Sequence, residues 1–221
     1  MKIVKKKKSD ESSNSWIMGI DRNSARRYME EAQNQQKKQF VPFVWIPDGE
    51  SRELIFVDRA PFTYESHTVR IGGKFRSYTC PQVSCALCES GQRKTRRAAF
   101  RVVNLTPWKD KKGEEHANTP QVLSLAGTYY LLLEDEAKES GVDSFENVKF
   151  KLRRRGNGIH TTYTPKFLGS GNLSKSEQRA VERCKSELSL RELLAPPSRA
   201  VAENMASLHR DEDTDDIGTE I

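Results

Sequence analysis

The fold turns on the stretch HTVRIGGKFRSYTCPQVSCALC, residues 67–88. Ser66–Ile71 and Lys74–Thr79 read as two short strands, and Gly72-Gly73 between them supplies the tight turn of a β-hairpin. Cys80 follows at once, then Cys85 and Cys88, close enough to chelate one ion from a single turn. The spacing His67-x12-Cys80-x4-Cys85-x2-Cys88 offers one imidazole and three thiolates, a set that favours tetrahedral zinc. Four protein ligands leave no position for a reactive water, so the expected site is structural, with one zinc per chain. Its task is to fold a loop too small and polar to bury a core of its own. The competing reading of the thiols is a redox pair at Cys85 and Cys88. His116, in a polar loop, and Cys184, on the apolar face of a predicted helix, compete with His67 for the fourth place.

Outward from this stretch the pattern is that of short strands. Phe40–Ile46 and Glu53–Asp58, separated by Pro47-Asp48-Gly49, predict a hairpin. Ala98–Leu105 and Gln121–Leu125 alternate as strands, and Thr128–Ser140 reads as a helix ended by Gly141. Val148–Arg155 and Ile159–Thr164 flank Gly156-Asn157-Gly158, a strong hairpin signal. Asn23 or Ser24 can cap a short helix through Ala32. Ser174 to Glu177 opens another, with Ala180, Val181, Cys184 and Leu188 at helical spacing. The expected fold is mainly β with a few helices, a five-stranded barrel carrying an inserted metal subdomain at about 64–92. The expected division is a basic N-terminal arm over 1–20, a core over 21–172, a C-terminal helix over 173–198, and a linker with an acidic tail over 199–221.

Composition narrows the function. The 221 residues carry 37 Lys and Arg against 31 Asp and Glu, a formal charge of +6 that favours polyanionic partners. Residues 2–8 hold five lysines, whereas Asp211 to Ile221 holds six acids and no base, so the two ends are electrostatic opposites. No window approaches the roughly 18 apolar residues of a spanning helix, and Met1–Lys8 lacks the apolar centre of a secretory signal. A soluble protein of the cytoplasm, without a membrane partner, is expected.

Two basic segments are interleaved with aromatics. Arg93, Lys94, Arg96, Arg97, Arg101, Lys109, Lys111 and Lys112 surround Phe100 and Trp108, while Lys151, Arg153 and Arg155 precede Tyr163. Lys74 and Tyr78 of the first hairpin join them as candidates. Cations neutralise phosphates and aromatic faces stack on unpaired bases, so the mixture suits single-stranded nucleic acid. There is no phosphate-cradling glycine loop and no nucleophile triad, and a closed metal site gives nearby acids no activated water; no enzyme is expected. The rival reading is a zinc-containing transcription or packaging adaptor that binds duplex DNA or protein.

These features together resemble the single-stranded DNA-binding proteins of T-even-type bacteriophages. The resemblance spans roughly residues 40–170 and rests on the strands before the metal loop, the His67, Cys80, Cys85, Cys88 spacing, the basic strand Arg96 to Leu105 and the late hairpin Phe150 to Tyr163. It implies an oligonucleotide-binding (OB) barrel with a zinc subdomain and a basic cleft between them. It also implies coating of single strands, largely without sequence preference, during phage DNA replication, recombination and repair in the host cytoplasm. The basic arm would promote self-association along DNA. The acidic end, Asp211, Glu212, Asp213, Asp215, Asp216 and Ile217, would recruit replication and recombination proteins and compete for the cleft.

Overall fold

The computed structural model describes residues 43–71, 73–109, 113–156 and 160–215, with the side chains of Ile71, Lys74 and 208–215 left aside. The expected arm at 1–20 and helix at 23–32 lie outside these residues, as do Lys111, Lys112, Asp216 and Ile217. Nine strands are described: β1 Ser51–Phe56, β2 Phe62–Ile71, β3 Lys74–Thr79, β4 Lys94–Asn104, β5 Trp108–Lys109, β6 Glu115–His116, β7 Thr119–Ala126, β8 Val148–Arg155 and β9 Thr162–Ser170. Five helices accompany them: α1 Ala86–Glu89, α2 Gly127–Glu139, α3 Lys175–Glu187, α4 Leu190–Leu193 and α5 Arg199–Asp215. None is long and apolar enough to cross a membrane.

The main sheet is antiparallel and runs β3-β2-β4-β1-β8-β9, with β7 also paired to β4. β4 organises it. One edge meets β7 from Arg97 to Asn104, and the other meets β2 and then β1 in succession. Its alternation explains why the apolar run Ala98–Val103 is nearly continuous: both faces are covered. Ala98, Phe100 and Val102 enter one core with Leu54, Phe56, Leu123, Phe150 and α2's Leu133, whereas Ala99 and Val103 enter a second with Ile55, Val122 and α3's Val181 and Cys184. Among the described residues, no strand pairing closes the sheet on itself.

The expected hairpin of Phe40–Ile46 with Glu53–Asp58 does not form. Both edges of β1 are taken, by β4 and β8, so the upstream segment has no strand edge there to join. It turns instead to β7: Val44 N–H donates to the Val122 carbonyl at 2.9 Å, and Phe43 bridges Val122 in parallel. Arg154 Nη1 then donates to the Ile46 carbonyl at 3.0 Å. Residues 43–46 thereby lie between β7 and β8.

The late hairpin forms as expected, though β9 starts at Thr162 and continues through Pro165 to Ser170, which an edge strand tolerates. Gly156 is fixed by its surroundings: its φ is +80°, and a Cβ there would stand 2.3 Å from the His160 carbonyl oxygen. α3 opens with a complete capping box between Ser174 and Glu177. The helix expected over 173–198 is broken into α3 and α4. The linker expected from 199 is instead α5, because Ala202, Met205 and Ala206 recur at helical spacing and offer a small apolar face.

Candidate metal centre and aromatic cleft

The β2-β3 hairpin and α1 build the metal candidate. His67 projects from β2 opposite Tyr78, and β2's first half is held in register by β4, with His67 opposite Lys94. Cys80 leaves β3 with its N–H on the Glu65 carbonyl at 2.8 Å, which fixes the loop's entry. Gln82 and Ser84 take left-handed backbone at φ +68° and +51°, turning the chain so that Cys85 caps α1 and Cys88 lies within it. Gly91 at φ +83° reverses the chain into β4.

Four ligand atoms converge, all within 4.8 Å of one another. His67 Nε2 is 3.4 Å from both Cys85 Sγ and Cys88 Sγ, and Cys80 Sγ is 3.6 Å from Cys88 Sγ. A tetrahedron with metal–ligand bonds of about 2.0–2.3 Å has edges of this order. A disulfide would need sulfurs at about 2.05 Å, so the thiols are free and a redox bridge is not formed. Cys80, Cys85 and His67 are buried.

The protonation chemistry suits a cation. Burial pushes the His67 imidazole below its ordinary pKa, which keeps it a neutral ligand, although the Arg93 and Gln92 backbone act in the opposite sense. Burial would raise the Cys85 thiol, yet the Cys88 N–H, the neighbouring sulfurs and the Leu87 backbone together hold it below its usual value. Cys88 is pushed up to about 12, by burial first and then by sharing hydrogen bonds with Cys80 and Cys85. Crowded thiols of opposite tendency are the situation that a divalent cation relieves by taking all of them as thiolates. The donor set fits zinc. His67 Nδ1 is buried without a hydrogen-bond partner of good geometry.

The other candidates for the fourth ligand stand elsewhere. Cys184 is fully buried in the second core, its thiol raised to about 12 by burial and donating to the Val102 carbonyl at 3.7 Å. His116 stacks on Trp108 with ring centroids 4.6 Å apart.

A cleft of about 740 Å³ opens beside the metal hairpin. Phe43, Trp45 and Tyr163 line it with Phe75 and Tyr78 of β3, while Tyr64, Arg97 and Ser124 belong to the paired strands β2, β4 and β7. Tyr64 Oη lies 2.8 Å from Ser124 Oγ, and Arg97 Nε donates to the same oxygen at 2.9 Å. Trp45 and Phe75 are 69% and 76% exposed, so their faces are available to a ligand. The Arg154 guanidinium sits 4.9 Å from the Trp45 ring centroid. Leu193 at the end of α4, with Leu194, Ala195 and Pro197 between α4 and α5, completes the lining.

The chain matches no protein-family model and no curated protein sequence.

The sequence-predicted nucleic-acid candidates scatter over the surface and the interior. Tyr78, Arg97 and Tyr163 reach the cleft. Phe100 does not: it is fully buried in the first core, 4.9 Å from Phe56 between ring centroids, because its parity on β4 points it inward. Arg101 is also a correction. It clasps Asp58 at 2.5 Å and donates to the Lys185 and Leu188 carbonyls, so its role is to tie β4 to α3. Lys94 pairs with Glu65 at 2.7 Å, Trp108 donates to Thr119 Oγ1 at 3.4 Å, and Arg93, Arg96 and Lys109 are exposed. Lys74 lies on β3 in backbone only.

Lys151, Arg153 and Arg155 occupy the face of β8 opposite to Arg154, whereas Tyr163 pairs across from Arg154 and shares its face. Sequence proximity had joined these cations to Tyr163; strand alternation separates them. Sequence reasoning missed Phe43, Trp45, Tyr64 and Phe75. The available signal was Phe75 between Lys74 and Arg76, an aromatic in a polar hairpin with no core of its own to enter.

Proposed function

We propose that this chain is a non-enzymatic protein that coats single-stranded DNA during phage replication, recombination and repair, holding unpaired bases in the aromatic cleft and using zinc to shape the cleft's hairpin wall. The observation that carries this reading is the set of exposed aromatic faces, Trp45 and Phe75 above all, converging on one cleft beside Arg97. Exposed aromatics are costly to leave in water, and base stacking covers them whatever the sequence. A cleft of about 740 Å³ has room for a few splayed bases.

The chain path supports an OB-type barrel. β1, β4 and β7 form a meander, α2 follows, and β8 returns beside β1 before turning into β9. That order is similar to the path of a five-stranded, partly open Greek-key barrel, a fold whose exposed face takes oligonucleotides. His67, Cys80, Cys85 and Cys88 hold the zinc, which fastens the inserted hairpin at the cleft's rim. The basic arm serves contacts between neighbours on the strand, and the acidic end recruits partner proteins.

The test is tryptophan fluorescence of the full chain titrated with a mixed-sequence single strand and with its duplex, at several salt concentrations. Quenching by the single strand at far lower concentration, with affinity falling steeply as salt rises, is the expected result. Preference for the duplex, or a flat salt response, would point to the adaptor reading instead.

A further inference from the structure

A second basic surface lies on the outer face of the β8-β9 ribbon. Lys151, Arg153, Arg155 and Lys166, with Ser51 and Thr164, line an open groove of about 650 Å³. It contains no aromatic side chain. The acids beside it are already engaged, Glu50 with Arg52 at 2.8 Å, Glu53 with Lys151 at 3.1 Å, and Asp48 accepting the Gly156 N–H at 2.7 Å. Among the described residues, no acid lies within ion-pair distance of Arg153, Arg155 or Lys166, and all three are exposed.

We propose that this groove is a phosphate track, a second binding surface that carries the backbone of the same single strand after its bases leave the aromatic cleft. The inference rests on the cleft reading and adds where the strand goes next. Lys151, Arg153 and Arg155 alternate along β8, so their stems stand about 6.6 Å apart in a row. That interval is close to the distance between successive phosphates of an extended single strand. A row of cations without stacking partners binds backbone alone, which is the complement of a cleft rich in aromatics and poor in free cations.

The two surfaces adjoin. The Pro47–Glu50 turn, closed by Glu50 N–H on the Pro47 carbonyl at 3.2 Å, carries the chain from Trp45 in the cleft to Gly49 and Ser51 in the groove. On β9, Tyr163 faces the cleft and the next residue, Thr164, faces the groove. An acidic peptide fits the row less well. The chain's own acids at 211–215 lie on helix α5, whose backbone rises about 1.5 Å per residue against about 3.3 Å along a strand such as β8.

The experiment compares the full chain with a variant carrying Arg153→Gln, Arg155→Gln and Lys166→Gln, against oligothymidylates of about 4 and about 16 nucleotides, the span of lengths one such fold covers. The short strand fills the cleft alone. The variant is expected to bind it within twofold of wild type, with the same tryptophan quenching. On the long strand the slope of log K against log salt should become shallower by about 2, since each lost phosphate contact removes about 0.7. The double variant Arg153→Lys with Arg155→Lys should keep the wild-type slope, and unchanged zinc content and circular dichroism will show each variant folded. An unchanged slope on the long strand would overturn the track, as would equal losses on both lengths. If the variant loses only its sensitivity to deletion of 211–221, the groove belongs to the acidic end and the track is refuted. If wild type binds neither strand, the cleft reading itself falls.

Discussion

A buried imidazole facing three thiols has few ways to be satisfied, and His67 shows the consequence at the scale of one residue. Its Nε2 lies 3.4 Å from two sulfurs whose proton affinities diverge. Cys85→Ser should reduce bound zinc from one per chain to none while leaving most of the sheet's circular dichroism, because the two larger cores lie away from the site. Metal analysis beside a thermal melt checks both halves. The ligand set was legible in the sequence because its spacing alone nearly determines the chemistry. The stacking residues were harder to read, since whether an aromatic is core or surface depends on strand parity, and the polar neighbours of Phe75 were the one local sign that set it apart from Phe100. Trp45→Ala and Phe75→Ala should each weaken single-strand binding about tenfold, within the 1–3 kcal/mol attributed to one stacked base, without lowering the melting temperature.

Among the elements, α3 gives the clearest dependence on pH. Burial alone would raise the Glu177 carboxyl, but Lys149 at 2.7 Å and the Ser174 backbone and hydroxyl hold it below its ordinary value. The unfolded chain therefore binds this proton more readily. The group's contribution is complete above its unfolded pKa of about 4.3 and is lost as pH falls through the lower folded value. Glu177→Ala should cost about 1 kcal/mol at neutral pH, and chemical denaturation between neutral and acid should show a shallower pH slope than wild type. α5 illustrates what sequence reading lacked. Its acids and small residues suggested a solvated linker, yet Ala202 and Ala206 are buried, and Ala206 packs with Val69, Cys80, Cys85 and Leu87. A face of alanines becomes visible only beside the surface that it fits. Ala206→Glu should hasten zinc release to a chelator about tenfold by forcing a charge against the knuckle, whereas deleting 216–221 should leave the release rate unchanged.

At the scale of the whole molecule, charge is arranged in separate territories: exposed cations along β8 and β9, an acidic C-terminal end, and a paired ion where Arg101 of β4 meets Asp58 after β1. Removing residues 211–221 should tighten single-strand binding at low salt several-fold and have little effect at high salt, because a tethered polyanion competes only while charges are unscreened. Titrations of both chains across salt will reveal it. The β-rich class, the metal hairpin, the central helix and the late hairpin were readable from alternation and turn residues. The path of 43–46 was not, because a local turn signal says nothing about which strand edges remain open once distant strands such as β8 have paired.

The contact between Arg199 and Glu89 at 3.3 Å joins residues far apart in the chain. A ribosome finishes the knuckle long before it makes α5. During synthesis the cysteines are therefore made before the helix that covers them. α5 follows later in the chain, so an ion held by the four ligands would be bound before the helix covers the site, and the same helix would then slow its exchange with the surroundings.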